Sequence, residues 1–212
     1  MTKLQEQNGI LFIKVKATDE ENATVVSIAP RGDIVLVVGP EEVRLRVRSL
    51  ILEGASKAFA SLWSQNRRES LDLADSDAIT EVYLPEDDVV GMKFICALIH
   101  HRHEFMPEFL SMYGILGVAF MVDKYDFIDA MALPSGMLLA SENQEADELM
   151  VFMVAAFLFQ NGPAFRRITK SLILDYGGSY LAVSNKSVES VIGSHVICEH
   201  IVKKRLQRMT HL

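Results

Sequence analysis

The segment DIVLVV, Asp33 to Val38, constrains the fold of this chain more than any other stretch. It is a short, β-branched, uninterrupted apolar run closed by Gly39-Pro40, which is the pattern of a buried strand. The next segment, VRLRV, Val43 to Val47, alternates apolar and basic residues strictly. It reads as a second strand with one wet face carrying Arg44 and Arg46. The connection between them, GPEE, is expected to be a hairpin and not a phosphate loop. A phosphate loop needs inward-turned N–H groups, a second glycine and a lysine at fixed offsets. Here Pro40 removes one donor, and Glu41 and Glu42 repel phosphate. The dinucleotide fingerprint G-x-G-x-x-G is absent as well.

The flanking elements are short. Residues 1–28 read as an N-terminal arm, partly disordered, with ILFIKV (Ile10 to Val15) as a short strand or a docking segment and TVVSI (Thr24 to Ile28) as a short strand. Ser49 is the expected N-cap of a helix. Leu50, Ile51, Ala55, Ala58, Phe59 and Leu62 follow at helical spacing, and Gly54 divides the stretch into two short helices. Residues 64–77 are polar and irregular. Glu81 to Pro85 is a strand, and Glu86 to Asp88 supply acids to the first turn of a helix that reaches His100. FMPEFL breaks that helix. Ile115, Val118, Ala119 and Val122 define the next one. Asp123 to Asp126 is a polar corner, and a short helix at Ile128, Met131 and Ala132 stops near Pro134.

After a polar linker, 134–145, only helical patterns follow. They cover about 146–160, 163–175 and 193–209, with a break at Gly177-Gly178. Strands mixed with helices first, helices alone later, and no repeated βαβ unit predict an α+β fold and not a doubly wound sheet.

Composition excludes several classes of function. The net charge of −7 argues against nucleic acid as the main partner. Met1 to Asn8 is polar, so no secretory apolar region is expected there. The longest late apolar run, Leu149 to Phe159, is far short of the roughly 20 residues that span a bilayer, so no membrane partner is expected. Cys96 and Cys198 stand in apolar helical patterns and read as small core residues in a reducing compartment. The expected location is the cytoplasm, the nucleus or both. Met92, Met121, Met131, Met150 and Met153 lie at core spacing; an adaptable methionine-rich groove is the sharper alternative.

Little in the chain announces chemistry. In HHRHE, only His100 and His103 have the spacing of ligands on one helix face. The cluster reads as a solvated helix end, where histidine suits the dipole. His195, Cys198 and Glu199 lie within one turn of each other, but a zinc site needs about four ligands and no second pair is visible. No G-x-S-x-G elbow exists. The pairs Asp87-Asp88 and Asp123-Asp126 are explained by a helix start and a corner. No enzyme activity, metal or cofactor is expected. The basic cluster KKRLQR, Lys203 to Arg208, reads as a solvated last turn, with nuclear import as the alternative.

Three stretches taken together resemble a BTB/POZ domain: GDIVLVVG…RLRVRSLILEGASKAF, YLPEDDVVGMKFICALIHHR and VAFMVDKYDFIDAM. The resemblance covers roughly residues 30–133 and places the domain at 29–133. In that family a strand beginning with Asp leads to a hairpin, and a helix pair ends in S-x-x-F. Asp33, Arg48, Ser56 and Phe59 fill those positions, and Tyr125 closes the later K-Y corner. Arg48 stands where the family has His; it is longer and permanently charged, yet can reach a carboxylate such as Asp33. GPAFRRITKSLILDYGGSYL resembles the helical extension of a group of fungal BTB proteins, which implies an appended helical unit over 146–212.

What the resemblance implies is a non-catalytic protein–protein interaction module, an adaptor or scaffold, whose partners are other proteins or a second copy. Two narrower roles are a substrate adaptor of a cullin-type ubiquitin ligase and a nuclear, transcription-associated regulator. Cullin-binding members carry a hydrophobic residue two positions before a glutamate, in the loop after the S-x-x-F helix. Here those positions are Arg67 and Glu69, and a desolvated guanidinium opposes binding. Leu62 and Trp63 are the apolar residues that can substitute.

Overall fold

A computed structural model describes residues 12–15, 25–69, 79–140 and 145–175, with the backbone alone for 12–15, 65–69 and 175. Its strands are β1 (Phe12–Val15), β2 (Val25–Ser27), β3 (Ile34–Val38), β4 (Val43–Val47) and β5 (Thr80–Leu84). They form one mixed sheet in the order β1-β5-β3-β4-β2. The fold is α+β. The central strand β3 is antiparallel to β4 and parallel to β5, while β1 runs antiparallel to β5 and β2 parallel to β4. The GPEE connection is a hairpin: Gly39 and Glu42 take positive φ, and the Glu42 N–H donates to the Gly39 carbonyl at 3.1 Å. Glycine suits this position doubly, since an added Cβ would lie 2.8 Å from the Val89 side chain.

Register fixes two faces. Ile34, Leu36 and Val38 stand opposite Val47, Leu45 and Val43 on one side, and opposite Thr80, Val82 and Leu84 on the other. Leu36, Leu45 and Val82 are fully buried. The second face differs from the wet one expected of VRLRV. Val35, Val37 and Glu81 on it are buried, and Arg44 and Arg46 are half-buried. The cause is a polar network across the strands. Arg44 pairs with Glu81, Tyr83 Oη donates to Glu81 Oε2 at 2.7 Å, and Arg46 Nε donates to the Gly32 carbonyl at 2.9 Å. Long basic side chains can thus lay apolar stems beside Val35 and Val37 and still satisfy their heads. The bond to Glu81 also pushes the Tyr83 phenol above its usual pKa.

The helices are α1 (Ser49–Ala55), α2 (Lys57–Glu69), α3 (Val89–Ile99), α4 (Met112–Tyr125), α5 (Ile128–Met131), α6 (Pro134–Leu138), α7 (Ala146–Leu158) and α8 (Gly162–Asp175), with a 3₁₀ turn at His103–Phe105. Four local expectations are corrected. Ser49 is the first helical residue, Arg48 is the cap, and the Ser49 hydroxyl is drawn to Asp33. The polar stretch after residue 63 continues α2 to Glu69. The DKYD corner is helical through Tyr125, and the chain turns at Asp126, whose φ is 53°. Asp88, not a first-turn acid, starts α3 by accepting from the Gly91 N–H at 2.6 Å.

Contacts among the described residues divide the chain into two units: residues up to Phe109 with Lys124–Ala130, and Leu110–Asp123 with residues from Met131 onward. This division differs from an expected domain at 29–133 with an extension at 146–212. It assigns most of α4 to the second unit, and α6 occupies part of the expected linker.

Within the second unit, α7 opens on a capping box of Glu145 and Glu148 and buries Met150 through Ala156 without a break. A helix buried all round needs no amphipathic stripe. α8 buries Ala164, Ile168 and Leu172, one face at i, i+4, i+8. Asn161 caps α8, with Oδ1 accepting from the Ala164 N–H at 3.0 Å, and its Nδ2 donates to the buried Ser135 hydroxyl. The expected final helix, the Gly177-Gly178 break, Cys198 and the basic cluster lie outside the described residues.

Candidate partner-binding surface and its supports

The helix pair α1–α2 turns at Ser56, and that residue serves both helices. Its N–H donates to the Leu52 carbonyl and closes α1. Its hydroxyl oxygen accepts from the Phe59 N–H at 3.0 Å, which caps the first turn of α2. The same hydroxyl donates to the backbone carbonyl of Tyr125. Ser56 is 2% exposed, and its hydroxyl both donates and accepts within the protein.

One turn on, Phe59 is buried and stacks on Tyr125 with ring centroids 4.9 Å apart and planes 20° apart. Trp63 lies 5.3 Å and Phe127 6.0 Å from Phe59. Offset and tilted rings of this kind add roughly 0.5–1.5 kcal/mol per pair beyond their buried area. Beneath them lies Asp87, 4% exposed, which accepts from the Tyr125 hydroxyl and the Lys124 ammonium. Burial, then the Asp87 charge, raise the Tyr125 phenol so that it stays a neutral donor.

The second cluster sits at the start of α1. Asp33 accepts from the Ser49 N–H at 2.8 Å and from the Ser49 hydroxyl. The expected reach of Arg48 to Asp33 is not what forms: the carboxylate is engaged by Ser49, and the Arg48 side chain is exposed. Its backbone N–H donates instead to Nε2 of His100 at 3.0 Å. His100 is therefore half-buried and tied down, unlike the solvated helix end expected of HHRHE; His101 and His103 are exposed. Burial lowers the His100 pKa below its usual value.

The residues expected to bind a partner divide. Trp63, the only tryptophan of the chain, is 9% exposed and belongs to the aromatic cluster, so it presents no apolar patch. Leu62 is half-buried. Arg67 and Glu69 lie on α2 itself and not in a loop after it; their side chains are outside the described set. Among the described residues of the first unit, the exposed large apolar side chains are Val25, Leu50, Val90 and Phe109, with Leu50 at 70% and Phe109 at 88%. Met92, Met121, Met131, Met150 and Met153 are all buried, which is core packing. Cys96 is buried, and desolvation pushes its thiol up to about 12, so it is inert.

Among the described residues, no group of three or more His, Cys, Asp or Glu could hold a metal ion, and no helix is long and apolar enough to cross a membrane. Sequence reasoning missed Asp87 and the tie made by His100. Three consecutive acids gave no sign that Asp87 is buried while Asp88 caps, and histidine spacing suggests ligands and not a backbone clasp.

A binding prediction follows from Trp63 and Arg67. Titration calorimetry with a cullin N-terminal domain is expected to give weak or no binding, and Arg67→Met to strengthen it. Tight binding by the unmodified chain would overturn this expectation. No family model and no curated protein matches the chain.

Proposed function

We propose that this chain is a non-catalytic interaction module of the BTB/POZ type, an adaptor or scaffold with an appended helical unit, acting in the cytoplasm or nucleus. The observation that carries this reading is the meeting of Ser56, Phe59 and Tyr125. The serine and phenylalanine of S-x-x-F and the tyrosine of the K-Y corner, distant in sequence, close into one buried knot. Asp33, held to the start of α1 by Ser49, supports the same reading. The mechanism is burial of exposed apolar side chains, Leu50 and Phe109 foremost, against another protein or a second copy. A standard interface of this kind removes roughly 1,600 Å² from water.

The test is co-purification of tagged chain, with identification of the bound proteins, repeated with Leu50→Asp and Phe109→Asp. Both positions are exposed, so each variant is expected to melt as the unmodified chain does and to lose a bound partner. Variants that fold and retain every partner would reject the surface, and a turnover activity would reject the class.

Oligomerisation yields a further expectation. Many BTB dimers exchange an N-terminal helix, whereas here β1 and β2 are strands of the chain's own sheet. Light scattering is expected to show no helix-exchanged dimer. A chain beginning at Ala29 loses both edge strands, so it is expected to melt lower and not merely to change its association state.

A further inference from the structure

We propose that His100 is a proton-operated latch between the end of α3 and the start of α1. Its ring is pinned from two sides. Nδ1 lies 2.8 Å from the Cys96 carbonyl, and Nε2 lies 3.0 Å from the Arg48 backbone nitrogen. A carbonyl only accepts, so Nδ1 carries the hydrogen. A backbone N–H only donates, so Nε2 must be bare. Together the two bonds specify the neutral Nδ1–H tautomer. A proton added to Nε2 sets one N–H donor against another, and the clasp to Arg48 must open.

The surroundings set where this happens. Burial opposes a charge on the ring most strongly, the bond to the Cys96 carbonyl favours one, Arg102 beyond its own helix end and Arg48 at the cap of α1 oppose one, and Asp33, before β3, favours one. Asp33 is already engaged by the Ser49 N–H and hydroxyl, and burial acts in the same direction as the arginines. The folded chain therefore takes up this proton later than the unfolded chain as pH falls. The sign follows: the contribution is complete above the unfolded value of about 6.5 and is lost as pH drops from there through the lower folded value. What the latch holds is the first turn of α1, which presents the exposed Leu50.

The test is NMR on the full chain between about pH 7.5 and 5, with urea unfolding in parallel. Expected are an Nδ1–H ring at neutral pH, a titration midpoint below about 6.5, and an Arg48 amide signal that moves with the same midpoint. The urea midpoint should fall over the same window. His100→Gln places an acceptor that does not titrate near Arg48 and should remove much of that fall, while His103→Gln, at an exposed position, should keep it. An Nε2–H ring, a midpoint at or above the ordinary value, or an Arg48 amide indifferent to the ring would overturn the latch. The ring and amide measurements need no variant, so a His100→Gln chain that fails to fold leaves the decision intact.

Discussion

A chain carrying Leu36→Asp is expected to lose the cooperative melt of its first unit. Leu36 is fully buried at the centre of β3, flanked by Leu45 on one side and Val82 on the other. The substitution removes a filling side chain and puts a carboxylate in its place with no cation opposite it in the register. Burying a polar group without a partner costs several kcal/mol, and a charge more unless it takes up a proton. Total stabilities are about 5–15 kcal/mol, so the effect is comparable with the whole. Circular dichroism with temperature reads it directly; an unchanged melting midpoint would reject the sheet assignment. Val37→Asp makes a graded companion. Val37 is equally buried but stands opposite Arg44, so its carboxylate has a neighbouring cation and is expected to cost less.

That contrast marks what the sequence could and could not disclose. The strands at 34–38 and 43–47 were legible because turn chemistry, an unbroken apolar run in the first and period 2 in the second are features of a few residues. The division of α1 from α2 was legible through Gly54, although the break itself falls at Ser56. The character of the second sheet face was not. Arg44 and Arg46 read as wet because basic residues are usually exposed. Their half-burial depends on Glu81 and Tyr83, which β5 brings alongside only through the tertiary fold. The N-terminal strand β1 was ambiguous for a similar reason, since its partner β5 lies far along the chain. The partner-binding residues were the least legible. Helical spacing from Phe59 favours half-burial of Trp63 over an exposed patch, and the contact with the Phe59 ring places it in the core.

Asp87 supplies the sharpest test of the first unit's construction, because its neighbour is a built-in control. Asp88 caps α3 through one backbone bond, and Asp88→Ala is expected to cost about 1 kcal/mol, as lost caps do. Asp87→Ala strands two groups at once, the Tyr125 hydroxyl and the Lys124 ammonium. Removing one partner of a buried pair costs about 3–5 kcal/mol. The lower end applies here, because the Lys124 side chain is 30% exposed and can turn toward water. For a chain of this length about 3 kcal/mol lowers the melting midpoint on the order of 6–12 °C. The same loss reaches Trp63, since Tyr125 stacks on Phe59 and Phe59 touches the indole. Asp87→Ala is therefore expected to shift the tryptophan emission to the red, and Asp88→Ala to leave it unchanged. Asp87→Asn separates charge from hydrogen bonding: it keeps an acceptor for the tyrosine, removes the attraction for the lysine, and should fall between the two. Equal losses at positions 87 and 88, with an unmoved emission in both, would show that Asp87 does not hold the Tyr125 corner and would remove the physical basis for reading Ser56, Phe59 and Tyr125 as one knot.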